Sequence, residues 1–541
     1  MAYEQEQPNK YFLFDGDIGF LGFNSRDNPN SLEKGTLALC QNYRLNRGVA
    51  QTRKGLKRLT PGGTNGIPIR HITTYKTDGG TDYVVMITET GLFYYDAITG
   101  SKTGPIEYPT TGGIQETILS TDDVGAFQAL GNLYIMRGFN KRPLMWNGVS
   151  TITVIPGTGT GFFPNSSQGM YIGNRGIVQV ASDQIAVSHY LDLTYFEQMD
   201  VFKINDGSND QIVAIAPWVL NEYVVFMRNR MYYASTGAGA YTSGDAPLAT
   251  DSYVKILATD IGCVARGTVA QAAGGMIFLS DGGVYMLTPS QATTPEGMRM
   301  GVLGAPLSAT IDDIIQRINQ TYVSKSVGIY FNNRYYLAIP VDGSTTNNVV
   351  IIYNFVNKQW ESIDTHQSGM DVSFMVTGIY QGKRRLFYGD KDYGLYITEE
   401  LNDGDQYDDT TNNNTLPVYL PFPLYDPQDA TAFTRFPIDS QIITRAYYFG
   451  FSEDKRYSQV EIDVHCEAGT QIVSSLVALN PDSTTAIDTF GAPVTRNSTR
   501  DLPIRKVASS SQIKVQSFNG QSSVRSLFVT AIRTGNNIRS T

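Results

Sequence analysis

The feature that most constrains this chain is a recurrence. A β-like run, a short turn and a second run rich in aromatics follow one another seven times. The units begin at Asp82, Phe127, Met170, Glu222, Gly274, Val327 and Lys383, between 43 and 56 residues apart. "DYVVMITETGLFYYD", "EYVVFMRNRMYYAS" and "KRRLFYGDKDYGLYITEE" show the pattern. Such a unit makes one small antiparallel sheet, which cannot bury both faces alone. The run "NVVIIYNF" is almost wholly apolar, as expected of a strand covered on both faces. Sheets covering one another in a closed ring satisfy every face, and the spacing matches propeller blades. The expected fold is therefore all-β: a β-propeller of about six or seven blades over residues 61–400.

The turns agree. Asp281-Gly282-Gly283 and Asn332-Asn333 supply residues that tolerate positive φ at hairpin tips. The 33 Tyr, 25 Phe and 52 Gly suit pleated strands and the turns between them. One segment breaks the pattern. In "LSATIDDIIQRINQTY", Ile311, Ile314, Ile315 and Ile318 recur at helical spacing, and Thr310 with Asp313 resembles a helix start. This predicts one short helix near 310–320, its apolar stripe used for packing. Composition shifts at 401–417, which reads as a boundary or exposed loop. Beyond it, stretches such as "QVEIDVH" alternate, and a C-terminal β-sandwich-like domain is expected at 401–541.

Chemistry is poorly represented. The four histidines, at 71, 189, 366 and 465, lack metal spacing, and neither a nucleophile elbow nor a phosphate loop occurs. Glycine-rich 157–161 has no helical pattern after it and reads as a loop. His189, beside Tyr190 and Asp192, reads as a structural histidine. Asp403, Asp405, Asp408 and Asp409 offer carboxylates to calcium, but their spacing fails the known loop and a solvated turn is expected. Repeats typical of sialidase-like propellers are missing, so a propeller glycosidase is disfavoured. No catalytic residue, cofactor or metal is expected.

Cys40, Cys263 and Cys466 lie far apart and read as buried free thiols. The formal charge of −9 argues against general nucleic-acid binding, though a negative wall suits passive passage of DNA. The opening residues lack a signal-peptide pattern, and no run of 18 apolar residues occurs. A protein made in a cytoplasm, with no membrane insertion, is expected.

The stretch "GFNSRDNPNSLEKGTLALCQNYRLNRGVAQTRKGLKRL", residues 22–59, stands apart. Gly35, Gly48 and Gly55 allow tight turns. Arg26, Arg44, Arg47 and Arg53 are suited to forked hydrogen bonds with carboxylates or carbonyls. A clamp, either between subunits or between the two ends of one chain, fits this content; a solvated basic loop is the plainer reading.

These residues resemble the N-terminal signature of tail nozzle (tail hub) proteins of short-tailed bacteriophages. Arg26, Asp27 and Pro29 match its first part, with one extra residue between Asp27 and Pro29. Leu32 and Gly35 match its turn, where Glu33 replaces the usual Pro. Asn42, Arg47, Gly48, Arg53 and Gly55 match the rest. "IGCVARGTVAQAAGGMIFLSDGGVYMLTPS", "VIIYNFVNKQWESID" and "PIDSQIITRAYYFGFSEDKRYSQVEIDV" resemble later parts of the same family. The resemblance implies a virion structural protein without enzymatic activity. It implies a homo-oligomeric ring, a hexamer, below the tail adaptor ring and around the DNA exit channel, with docking surfaces for tail fibres or a plug. It makes 1–60 an arm that docks on neighbours or on the C-terminal domain, with Arg26, Asp27, Pro29, Gly35, Asn42, Arg47, Gly48, Arg53 and Gly55 at a subunit or adaptor interface. A receptor- or glycan-binding tail propeller, using Tyr and Trp faces, is the second reading; a secreted kelch-like hydrolase is the third.

Overall fold

A computed structural model describes residues 12–59, 67–156, 162–204, 207, 209–218, 221–236, 252–293, 299–366, 370–390, 394–402, 404–408, 433–467, 470–479, 486–490, 498–518 and 520–533. These residues are almost entirely β. Glycine-rich 157–161, Asp403 and Asp409 lie outside them.

Seven four-stranded antiparallel units follow one another. Sheet I runs from Ile69–Lys76 to Lys102–Glu107, sheet II from Val124–Ala129 to Ile152–Val154, and sheet III from Gly169–Ile172 to Asp192–Lys203. Sheet IV runs from Ile212–Pro217 to Tyr253–Ala258, and sheet V from Ala270–Ala272 to Arg299–Leu303. Sheet VI runs from Val327–Phe331 to Gln359–Thr365. Sheet VII has Phe374–Tyr380, Lys383–Asp390 and Gly394–Leu401, and takes its outer strand from Gly55–Arg58.

The apolar faces pair as the sequence demands. Leu92 and Ile135 share one cluster across sheets I and II, and Tyr134 and Val178 another across II and III. Ile185 with Val225 joins III to IV, and Phe226 with Phe278 joins IV to V. Ile277 with Leu337 joins V to VI, and Tyr336 with Tyr388 joins VI to VII. Phe387 with Met86 then joins VII back to I. Gly389 gives this seam its close approach: a Cβ there would lie 2.1 Å from Ile72 Cδ1, and that side chain would have to shift.

Among the described residues the N-terminal arm contributes six strands: β1 (Phe12–Ile18), β2 (Gly22–Phe23), β3 (Thr36–Gln41), β4 (Tyr43–Asn46), β5 (Val49–Thr52) and β6 (Gly55–Arg58). β1, β4 and β5 belong to one sheet of the C-terminal region, with Ser522–Arg533, Lys455–Cys466 and Ser498–Ala508. β3 belongs to the other, pairing with Ser440–Thr444 and, at Gln41, with Ile363 of sheet VI. Tyr43, Leu45, Val460, Ile513 and Val529 are buried together between these sheets. Tyr43 and Val460, from opposite ends of the chain, thus share one core.

Three expectations are corrected. The boundary at residue 60 cuts through sheet VII, because β6 belongs to it. The plainer alternative for the arm, a solvated basic loop, does not hold; its strands complete sheets whose other members lie hundreds of residues away. The helix is shorter than 310–320: a 3-10 turn at Leu307–Ile311 leads into Asp312–Gln316, with no side-chain cap. Asp313 does not pair with Thr310; its carboxylate accepts from Ser25 Oγ at 2.6 Å. The isoleucine stripe is buried, each member at most 5% exposed.

Candidate functional site in the N-terminal arm

The arm's motif residues fall into a buried group and a surface group. Arg53 is 2% exposed, as is Asp405. Its Nη1 and Nη2 donate to the two carboxylate oxygens of Asp405 at 2.8 and 2.7 Å. Nε donates to Asn42 Oδ1 at 3.1 Å, and Nη2 also reaches Thr365 O. Burial alone would raise the Asp405 pKa, but the Arg53 guanidinium outweighs it and holds that carboxyl well below its usual range. Asp405, expected in a solvated turn, is instead a buried ion-pair partner.

Asn42 occupies the junction. Its φ of 56° is in the left-handed region, which Asn tolerates better than most residues. Its Nδ2 donates to Thr365 Oγ1 and Asp439 O, and its Oδ1 accepts from Thr365 N and Arg53 Nε. One side chain thereby ties the arm to sheet VI and to the entry of the C-terminal region. Gly55 serves close approach rather than a turn: a Cβ would sit 1.7 Å from Gly404 O.

Two further arginine centres flank this junction. Arg44 forks onto Asp364 at 2.9 and 2.6 Å and donates Nε to Glu399. Burial would lower its pKa, but the two carboxylates outweigh it and keep it charged. Arg334 forks onto the fully buried Glu361, which also accepts from Leu45 N at 2.6 Å. On the C-terminal side, Arg445 donates to Asp17 and Asp15, both at 2.9 Å, and Tyr447 Oη donates to Asp17 at 2.8 Å. Asp17 Oδ1 also accepts from Gly35 N, whose φ of 81° suits glycine.

The remaining motif residues face outward. Arg26 is exposed and donates to Asp27 and to Ala309 O, so it rests on the 3-10 turn before the helix. Pro29 opens a single 3-10 turn, and its carbonyl accepts from Ala446 N. Arg47 and Gly48 form the two-residue turn between β4 and β5, with φ of 52° and 81°. Arg47 is exposed.

Sequence reasoning located the arm arginines but missed most partners: Asp364, Glu361, Glu399, Arg334, Arg445 and Asp17. A signal existed for two of them. "QWESID" places Glu361 and Asp364 inside a strand that is otherwise buried, where carboxylates need cations. Elsewhere, His189 is buried, its ring edge-on to Tyr195 and its Nε2 3.3 Å from Glu197. All three cysteines are buried. Among the described residues, no group of three metal-binding side chains converges.

What this arrangement does chemically is hold. Charges buried with forked partners lock geometry rather than offer a reactive group to solvent.

No family model matches the chain. No curated protein matches it either. Among solved structures it is similar to BamB from Moraxella catarrhalis, at 12% identity and a TM-score of 0.34, over 60% of this chain and 82% of that one. It is similar to a catalytically inactive virginiamycin B lyase from Staphylococcus aureus with quinupristin, at 8% identity and a TM-score of 0.38, over 65% and 100%. It is also similar to a glycoside hydrolase, at 10% identity and a TM-score of 0.28, over 86% and 99%. Likenesses this slight carry no functional argument.

Proposed function

We propose that this chain is a structural protein of a short-tailed phage virion, the subunit of a ring-shaped tail nozzle. In this reading the seven sheets close into a seven-bladed propeller, with β6 fastening the last blade from the other end of the chain. Subunits stand side by side below the adaptor ring, a hexamer by resemblance, and enclose the path of the DNA. Fibres or a plug dock on the outside. The chain has no chemistry of its own.

The observation that carries the reading is the arm. Residues 22–59 resemble the tail nozzle signature, and the same residues brace the molecule. Arg53, Asn42 and Arg44 bind the arm to sheet VI, to Asp405 and to the C-terminal region at once. A part that transmits load along a tail needs its pieces fixed to one another. Arg53, Asn42, Gly35 and Gly55 are buried within the chain, which leaves the exposed Arg26 and Arg47, with the half-buried Asp27, Pro29 and Gly48 beside them, for contact with neighbours.

Immunogold labelling of intact particles tests this directly. Label at the distal tail supports the reading. Label on the capsid, or particles without the chain, overturns it.

A further inference from the structure

The outer surface of the arm carries an apolar strip. Phe12, Phe14 and Ile18 project from the same face of β1 and are 66%, 63% and 84% exposed. Leu21, 47% exposed, continues the strip. Leu21 O accepts from Asn357 Nδ2, which brings Val356, 72% exposed, alongside. Single exposed apolar residues are ordinary, but a continuous strip marks a contact surface. Phe528 stacks on Phe14 with centroids 5.2 Å apart and lies over Gly16, so the floor is built, not incidental. Between the strip and the β4–β5 turn lies a groove of 620 Å³, lined by Phe14, Ile18, Leu21, Lys34, Arg47 and Phe528, among others.

Two cations, Lys34 and Arg47, and one carboxylate, Asp15, border the groove. Lys34 is exposed and paired with Asp15 at 3.0 Å. Arg47 stands at the first position of a turn where both residues have positive φ, a place suited to Asn or Gly. An arginine there is strained by about 1 kcal/mol. Arg47 also borders a second, smaller groove beside Val356. β1 leaves an open edge: among the described residues it pairs only with Ser522–Arg533. An extended, apolar and acidic segment fits such a surface, through backbone pairing, an apolar floor and cations at the rim.

This chain contains a sequence of apolar and acidic composition that could serve. Asp405–Asp408 and Phe433–Phe436 form a two-stranded ribbon, so residues 409–432 are the insertion at its end. Within it, "LPVYLPFPLYDPQD", residues 416–429, holds Leu416, Val418, Tyr419, Leu420, Phe422, Leu424 and Tyr425, then Asp426 and Asp429, and no basic residue. Four of its residues are prolines, a residue type with little conformational entropy to lose on binding.

We propose that the groove between β1 and the β4–β5 turn receives residues 416–429 of a second copy of this chain. The apolar and aromatic residues lie along Phe14, Ile18 and Leu21, and Asp426 or Asp429 meets Arg47 and Lys34. This rests on the ring reading and specifies how neighbouring subunits grip one another.

The test has two arms, both on the full chain. In the first, the host carries Tyr419→Ser, Phe422→Ser and Tyr425→Ser, which clears the groove of its own occupant. A labelled synthetic peptide of residues 414–430 is titrated into it. Saturable binding is expected, weakened about tenfold or more by Arg47→Asn and by Phe14→Ser. Asn suits the turn, so Arg47→Asn does not lower the thermal midpoint, and a loss of binding reports on the cation alone. A peptide that binds no better than its scrambled sequence overturns the proposal. In the second arm, isotopically light and heavy chains are mixed and treated with a carbodiimide. Lys34–Asp15 linkage within one copy is the internal control. Mixed-isotope linkage of Lys34 to Asp426 or Asp429 is expected; linkage within one copy only overturns the assignment to a neighbour. A chain that stays monomeric by light scattering yet binds the peptide through Arg47 removes the ring reading while supporting the docking surface.

Discussion

Arg53 and Asp405 are 352 residues apart in sequence and share two hydrogen bonds of 2.8 and 2.7 Å in a site closed to water. The pair sits where β6 enters sheet VII: Asp405 Oδ1 also accepts from Leu56 N. Removing either partner strands a buried charge, which costs more than the pair itself contributes. Arg53→Ala is expected to lower unfolding free energy by about 3–5 kcal/mol, read from urea denaturation. Arg53→Lys is expected to recover only part of it, since one ammonium cannot fork onto both oxygens. A wild-type midpoint for Arg53→Ala would show that the latch is dispensable.

Acid should loosen the same latch. The folded-state pKa of Asp405 is depressed, and so is that of Asp364, where burial raises it and Arg44 outweighs burial. A depressed carboxyl contributes stability above its unfolded pKa of about 3.9, and that stability is lost as pH falls further toward the folded value. Thermal midpoints measured downward from pH 5 should therefore drop steeply below about pH 4. Asp405→Asn should start lower and fall less steeply through that window. An unchanged slope in the variant would assign the acid sensitivity elsewhere.

Gly55→Ala should unfasten β6. The added methyl group would meet Gly404 O at 1.7 Å, and that atom belongs to backbone that cannot swing aside. The clash is expected to cost at least about 1–3 kcal/mol. Limited proteolysis should then cut between residues 55 and 68 while the other sheets stay resistant. Resistance equal to wild type would mean the strand re-seats without loss.

Arg26 should behave in the opposite way. Its side chain is 53% exposed, and its partner Asp27 is 42% exposed. Such pairs contribute about 0–1 kcal/mol. Arg26→Ala should melt with the wild type, within about 1 kcal/mol. In the nozzle reading it should still reduce incorporation into tails, scored by infectious yield. Normal yield would remove Arg26 from the interface.

How much of this was legible in the sequence differs from place to place. The Asn332-Asn333 turn was legible because turn chemistry is local; both residues have positive φ, at 48° and 59°. The isoleucine stripe at 311–318 was legible as a buried face for the same reason, although the α-helix spans only Asp312–Gln316, a 3-10 turn taking its expected start. Gly35 and Gly48 were read correctly as turn glycines. Gly55 was not, because what requires it is the Gly404 backbone, 349 residues on. The arm strands escaped notice for a related reason. β4, β5 and β6 are four residues long, and their buried positions include the polar Arg44, Thr52 and Arg58, with Arg44 matched to Asp364 rather than to an apolar face. Local patterning carries no information about such partners. The carboxylates of "QWESID" sit in a partly apolar run that hints at burial, whereas nothing in "DGDQYDD" marks Asp405 as buried.

The central claim is that this chain builds a ring around a channel. Cryo-electron microscopy of the purified full-length chain, across a concentration series, measures that directly. The account predicts closed rings of side-by-side subunits, each showing a seven-bladed body with the arm seated in the C-terminal domain, around a lumen wide enough for duplex DNA. Monomers at every concentration, or open stacks without a lumen, would contradict it.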